Sequence, residues 1–377
     1  MSWREALRPT NARGAAFRPF DYATAGPGLV RLDCNESAFP PGEDEMAAFQ
    51  EELARLDLRR YPDVSGGALR EALARRWDVA ADEILLGTGS EEIISILTIA
   101  FGGQAGAPAS VLFPDPTFNQ YEVLARAYGA TPVSVPLGDR FGLDVEAVGR
   151  VIRSVRPALA FFASPNNPTG NRFDSEALVS LARQMDGVFV VDEAYADFGG
   201  KTLMPRVRET PGLFVMRSLS KVGLAGLRVG ALVGPRQAIA EIDKVRLPWN
   251  VNAVSLALAC ATLRHPERFE ARIRETVALR GGLETALRSL PGVVVYPSDT
   301  NFFLLVRVPA DAGTVFHGLL ARGVLVKNVA QPGALERCLR ITVGTAVENT
   351  RCVRALGAVL EAAGSGDERS DAAIGTR

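Results

Sequence analysis

Apolar runs of strand length recur along this chain with no polar residue in alternation, and they limit what it can fold into. Ala-Leu-Ala-Phe-Phe-Ala at 158–163, Val-Phe-Val-Val at 188–191, Leu-Phe-Val-Met at 213–216 and Val-Gly-Ala-Leu-Val at 229–233 are the clearest. A strand with one wet face alternates apolar and polar residues. These do not, so both faces must be covered, as in a parallel sheet between helices. Shorter strands are expected at 84–86 and 111–113, and helices at 43–58, 67–77, 91–101 and 117–128. The alternation predicts an α/β sheet with crossover helices.

After Asn252 the pattern changes. A helical region rich in Arg and Glu spans 253–290. Strands at 301–306, 324–326 and 338–343 then surround a helix at 311–322, and a last helix covers 347–362. At 377 residues the chain exceeds one simple core. The expected division is a large lobe at 30–260, a smaller α+β lobe made of an extended arm (1–29) with 261–362, and a polar, disordered tail at 363–377.

Composition excludes several classes. With 42 Lys and Arg against 43 Asp and Glu, no basic excess points to nucleic acid or a membrane surface. The longest apolar run, 93–101, falls short of a membrane span, and Met-Ser-Trp-Arg-Glu lacks a signal-peptide core. Cys34, Cys260, Cys338 and Cys352 form no CxxC pair. They read as reduced thiols of a cytoplasmic protein, with no metal site. His265 and His317 sit in helix-like stretches away from any motif, which argues against histidine-based chemistry.

Four segments at strand ends carry the chemistry. The 188–191 strand ends in Asp192-Glu193-Ala194-Tyr195. A buried carboxylate there needs a cation, which a protonated ring nitrogen supplies; a helix cap explains the motif as well. Arg217-Ser-Leu-Ser-Lys221-Val-Gly-Leu-Ala-Gly-Leu-Arg228 groups hydroxyls and Arg suited to a phosphate around a Lys suited to act as a nucleophilic amine. Gly87-Thr-Gly-Ser-Glu-Glu92 joins a strand to a helix, where backbone N–H groups can cradle a phosphate. Ser164-Pro-Asn-Asn167-Pro-Thr-Gly170 is a rigid turn that can aim the Asn167 amide. All four fall at carboxyl ends of strands, where open α/β sheets bind ligands.

With these motifs the chain resembles the fold type I enzymes that use pyridoxal 5'-phosphate (PLP), and among them the histidinol-phosphate aminotransferases. Further stretches carry the resemblance: Arg60-Tyr-Pro-Asp63, Lys244-Val-Arg-Leu-Pro-Trp-Asn-Val-Asn252 and Cys338-Leu-Arg-Ile-Thr-Val-Gly-Thr345. It implies a large domain with a mostly parallel seven-stranded sheet, a smaller α+β domain, and a homodimer with shared active sites. It implies roles residue by residue. Lys221 would hold PLP as a Schiff base and move the substrate proton. Asp192 would pair with the ring nitrogen, and Tyr195 and Asn167 with the ring oxygen. Ser218, Ser220, Arg228 and the backbone of Ser90 and Glu91 would hold the phosphate. Phe118 would stack on the ring, and Tyr61 would reach the partner subunit's cofactor. Arg340, Lys327, Phe20, Tyr22, Asn35 and Trp249 would line the substrate site.

Departures from the family pattern fall mainly at the substrate site. Lys327 stands for a common Arg, Phe20 and Trp249 for common tyrosines, and Cys34-Asn-Glu-Ser37 lacks a usual proline. Phe118 replaces a Tyr but keeps a stacking face. The implied reaction moves an amino group between histidinol phosphate and 2-oxoglutarate. Other readings are an aromatic or other amino-acid aminotransferase, a lyase similar to threonine-phosphate decarboxylase, or a PLP-binding sensor, for whose DNA-binding domain the arm leaves no room.

Overall fold

Alternate side chains of the central strands pack into two separate cores, which explains their unbroken apolar runs. The protein is seen as a computed structural model that describes residues 28–104, 107–306 and 311–372. A seven-stranded sheet runs in the order β2 (Ile84–Thr88), β10 (Val229–Val233), β9 (Leu213–Ser218), β8 (Val188–Asp192), β7 (Leu159–Ala163), β5 (Ser110–Asp115), β6 (Thr131–Pro136). Only β10 runs against its neighbours; the remaining pairs are parallel. Phe162, Phe189, Val191 and Val215 point to one core, Phe161, Val190, Phe214 and Met216 to the other. One face is covered by α1 (Glu43–Arg55), α2 (Gly67–Trp77), α5 (Val145–Val155), α6 (Ser175–Arg183) and α9 (Ala253–Leu263). The other is covered by α3 (Gly89–Phe101), α4 (Gln120–Ala127) and α8 (Arg236–Asp243). Asp144, Asp174 and Asn252 cap α5, α6 and α9 by accepting backbone N–H bonds. A short α7 (Ala196–Gly199) follows β8, and β3 (Gly103–Gln104) pairs with β4 (Ala107–Pro108).

A second, five-stranded sheet runs β1 (Val30–Leu32), β13 (Val324–Asn328), β14 (Leu339–Thr342), β12 (Phe302–Val306), β11 (Val294–Val295). Its core is closed by α10 (Pro266–Arg288), α11 (Ala312–Ala321) and α12 (Ala346–Ala372). β1, grouped with the large lobe on sequence, pairs in parallel with β13 instead, Val30 opposite Val324. Three residues carry no periodic signal of their own, and their partner lies far along the chain. The helical region at 253–290 is two helices, broken at His265 with Pro266 starting α10, because proline suits a first helical turn and no later one. α10 bridges the sheets, with Phe269 in one core and Leu283 and Leu287 in the other. α12 continues to Ala372, beyond the expected end at 362 and into the segment expected to be disordered. Each residue added to an existing helix gains a backbone bond, so a polar extension of a packed helix can form where an isolated one would not.

The wholly buried Phe189 ring stacks on Phe162 at 4.7 Å. Phe189→Ala should cost about 3–5 kcal/mol and lower the denaturant midpoint at unchanged slope. A loss below about 1 kcal/mol would show that this face is not a close-packed core.

Candidate active site

The parallel strands deliver polar side chains to one end of the seven-stranded sheet, and the smaller sheet closes over them. Between the two lies a cavity of about 850 Å³ lined by Asn35, Ser90, Glu91, Phe118, Asn167, Asp192, Tyr195, Ser218, Ser220, Lys221, Arg228, Lys327 and Arg340. Thirteen of the residues singled out on sequence are thus brought together.

Asp192, the last residue of β8, is 5% exposed. Its Oδ2 accepts a bond from the Tyr121 hydroxyl (2.7 Å) and its Oδ1 one from the Ala194 N–H (3.0 Å). Burial pushes its pKa up to about 6 against the pull of both bonds, and the charges of Glu91 and Glu193 push the same way. Among the described residues no Lys or Arg forms an ion pair with it. A carboxylate so placed fits a cationic ring nitrogen.

Lys221 lies in a tight turn after β9. Its Nζ donates to the Cys34 carbonyl (3.3 Å) and stands 5.8 Å from the centre of the Tyr195 ring. Tyr195 is buried against the edge of Phe302 at 5.2 Å, and its hydroxyl accepts a bond from Asn35 Nδ2 (2.9 Å). Asn35, expected to touch substrate, therefore holds Tyr195. The Asn167 Oδ1 accepts from Arg340 (2.6 Å), which leaves its amide NH₂ for an acceptor in the cavity.

The start of α3 and the turns after β9 meet at Arg228. Its guanidinium bonds Ser220 Oγ (3.4 Å) and pairs with the Glu91 carboxylate (2.7 Å). Glu91 thus occupies the place of an anion at the expected phosphate cradle. Gly89, at φ +76°, would bring a Cβ to 2.6 Å from Arg228, and a Cβ on Gly230 would meet the Gly89 carbonyl carbon at 2.6 Å. Only glycines let the three segments close to this distance. The side chains and helix start suit a phosphate.

Arg340, on β14, is 9% exposed, its two amino groups directed to Asn167 and to the Asp33 carbonyl (2.6 Å each). Lys327, on β13, is its direct cross-strand partner. Phe118 meets Tyr121 edge-on at 5.7 Å.

Four other expected residues lie elsewhere or outside the described residues. Tyr61 and Trp249 stack on each other at 4.3 Å beside a separate hollow of about 590 Å³, outside this chain's own cavity. Phe20 and Tyr22 lie outside the described residues. Sequence reasoning missed Tyr121. Its burial with an acceptor at 2.7 Å keeps it protonated, since burial and the Asp192 charge both hold its pKa well above the usual value. The available signal was a tyrosine on the inner face of an amphipathic helix, which needs a partner for its hydroxyl.

Known proteins resemble this chain over most of its length. The profile of the family described as aminotransferase class I and II matches residues 27–356. A protein of Nitrosococcus oceani named histidinol-phosphate aminotransferase 2 is 41% identical over 93% of this chain and 96% of its own. One of Aquifex aeolicus named histidinol-phosphate aminotransferase is 39% identical over 88% of this chain and 92% of its own. The crystal structure of histidinol-phosphate aminotransferase from Sinorhizobium meliloti with pyridoxal-5'-phosphate superposes with a TM-score of 0.81 at 23% identity, covering 92% of this chain and 98% of that one. A family match across most of the chain, with relatives near this identity at almost full length, settles its membership: this protein belongs to the class I and II aminotransferases.

Proposed function

We propose that this chain uses pyridoxal 5'-phosphate to transfer the amino group of histidinol phosphate to 2-oxoglutarate, giving imidazole-acetol phosphate and glutamate, as a cytoplasmic step of histidine biosynthesis. The observation that carries this reading is the pair Lys327 and Arg340, side by side across two strands at the cavity that also holds Asp192 and Lys221. One amino donor ends in a phosphate and the other, glutamate, in a carboxylate; adjacent cations serve both in turn. The names of relatives about 40% identical support the donor.

PLP, when bound, draws electrons from the substrate carbon that bears the amino group, so that its proton becomes acidic. The residues of this chain do the rest. Asp192 holds the ring nitrogen protonated. Tyr195 and the Asn167 amide donate to the ring oxygen. Ser218, Ser220, Arg228 and the first N–H groups of α3 hold the phosphate, and Phe118 covers the ring. Lys221 would hold the group between turnovers, and its Nζ would be the base that takes the proton from the substrate carbon.

Two chains work as a homodimer. Tyr61, 77% exposed, stacks on Trp249 beside Leu58, 75% exposed, and Leu247, two residues before Trp249 in sequence, is 70% exposed. An apolar surface of this kind suits burial against a second copy, and Tyr61 and Trp249 then serve the partner's cavity. Sedimentation should give a dimer of 40.3 kDa chains. Leu58→Glu with Leu247→Glu should dissociate it; a monomer in the unaltered protein would refute the shared site.

The reaction is tested by single half-reactions. The enzyme is mixed with histidinol phosphate, histidinol, phenylalanine, threonine phosphate or glutamate, and the cofactor spectrum is followed. Histidinol phosphate and glutamate should both convert it, and histidinol should do so poorly. Lys221→Ala should lose the lysine-linked absorbance. Arg340→Ala should lower kcat/KM tenfold to a hundredfold for both good donors, the loss of about 1.5–3 kcal/mol expected for a charged hydrogen bond. Conversion by phenylalanine alone, or carbon dioxide release from threonine phosphate, would overturn the substrate assignment.

The Asp192 carboxyl gives a pH test. Its pKa is raised to about 6 from 3.8, so in this window the folded chain binds more protons than the unfolded one. Stability from this group is therefore present at low pH and lost as pH rises through about 6. In cofactor-free protein Asp192→Asn should be more stable than wild type at pH ~8, by about 2–3 kcal/mol, with the gap closing toward pH ~4. A pH-independent gap would remove burial as the cause.

A further inference from the structure

We propose that Asn35 and Thr342 are positioning residues that fix the polarity of the Tyr195 hydroxyl, so that its proton points into the cavity. This rests on the aminotransferase reading above. The starting point is the set of bonds around Asn35, which is 1% exposed. It follows β1 in the left-handed region at φ +55°, a conformation that Asn tolerates better than most residues. Its backbone N–H donates to Thr342 Oγ1 (3.0 Å), and its carbonyl accepts from Asn301 Nδ2 (3.0 Å). The Thr342 hydroxyl donates to Asn35 Oδ1 (3.1 Å), and Asn35 Nδ2 donates to the Tyr195 oxygen (2.9 Å).

A threonine hydroxyl has one proton. Here the Asn35 N–H takes one of its two lone pairs and the proton goes to Oδ1; with the amide turned, that buried proton would lose this acceptor, so the NH₂ is held toward Tyr195. The tyrosine oxygen then accepts, and its own proton is left for another acceptor. Turned the other way, the amide would present Oδ1 and absorb that proton. An N–H donated to a phenolic oxygen also polarises its O–H, which strengthens the onward bond. Asn301, Asn35 and Thr342 all belong to the smaller sheet or its flanks, whereas Tyr195 follows β8 of the larger. Docking of one sheet on the other thus sets which way a single proton faces.

The consequence is readable on the bound cofactor. A hydrogen bond donated to the ring oxygen favours its ionised form, so losing the bond raises the pH midpoint of the cofactor's absorbance change. Asn35→Asp keeps the shape but presents acceptors to Tyr195. Thr342→Val removes the lock, and Thr342→Ser keeps it. Lys221 and Tyr121, titratable groups near Tyr195, are unchanged in every variant.

The experiment titrates the absorbance of the PLP-bound enzyme against pH, with Tyr195→Phe marking complete loss of the bond. Asn35→Asp and Thr342→Val should raise the midpoint by about one pH unit or more, while Thr342→Ser stays with wild type. If Tyr195→Phe shifts the midpoint and Asn35→Asp does not, or if Ser and Val at 342 behave alike, the polarity lock is wrong and the aminotransferase reading stands. If wild type binds no PLP, or Tyr195→Phe leaves the midpoint in place, the underlying assignment fails and takes the lock with it. Thermal melts identify a variant that does not fold. Should that be Asn35→Asp, the two substitutions at Thr342 decide.

Discussion

A carboxylate buried at the carboxyl end of β8 is the constraint around which the site is arranged. An unpaired charge in an apolar interior is costly, and Asp192 is among the least exposed acids of the described residues. Two donors meet it, Tyr121 and the Ala194 N–H. Neither carries a charge, so burial still dominates its ionisation. A cationic ring nitrogen beside it would offset that burial. Packing holds the carboxylate in place: Asp192 ends the central strand of the sheet, and the Tyr121 ring is stacked on Phe161 at 4.9 Å.

The smaller sheet supplies what the larger cannot. Its strand ends bring Arg340 within 2.6 Å of Asn167 and Asn35 within 2.9 Å of Tyr195. Both contacts cross from one sheet to the other, and both fasten a side chain that faces the cavity. The two sheets therefore do more than enclose space. Each orients polar groups on the other, and α10, with a foot in each core, holds them in register.

What the sequence makes legible follows from how local the physics is. Strands covered on both faces announce themselves as apolar runs, and 158–163, 188–191, 213–216 and 229–233 coincide closely with β7, β8, β9 and β10. Residues at the ends of those strands could be named at once, because a carboxylate, a lysine and a guanidinium have few reasons to follow an apolar run. Long-range pairings were not legible. β1 has three residues and a partner at Val324–Asn328, so nothing in its own pattern assigns it to a sheet. Asn35 was expected at the substrate because its stretch belongs to the family pattern. Its amide is instead committed to Tyr195, a contact that depends on where Thr342 falls. Tyr61 and Trp249 stack on an outer face of this chain, which suits the role toward a partner that the resemblance implies for Tyr61 but not the substrate-site role it implies for Trp249.

The arginines divide by how their partners are solvated. Arg217 and Glu193 form a 3.0 Å pair at 9% and 2% side-chain exposure, and Glu193 also accepts from Thr202 and the Leu203 N–H. Removing one member of a buried pair leaves an uncompensated charge, at a cost of about 3–5 kcal/mol. That pair is structural. Arg228 and Glu91 are equally close, at 2.7 Å, but each is 46% exposed. A pair so wet contributes only about 0–1 kcal/mol, and an incoming dianion offers the same guanidinium more charge and more acceptors. The N–H groups at the start of α3 remain alongside to meet it. The same chemical pair is thus a fixture in one place and an exchangeable contact in the other, and the difference lies in the water around it.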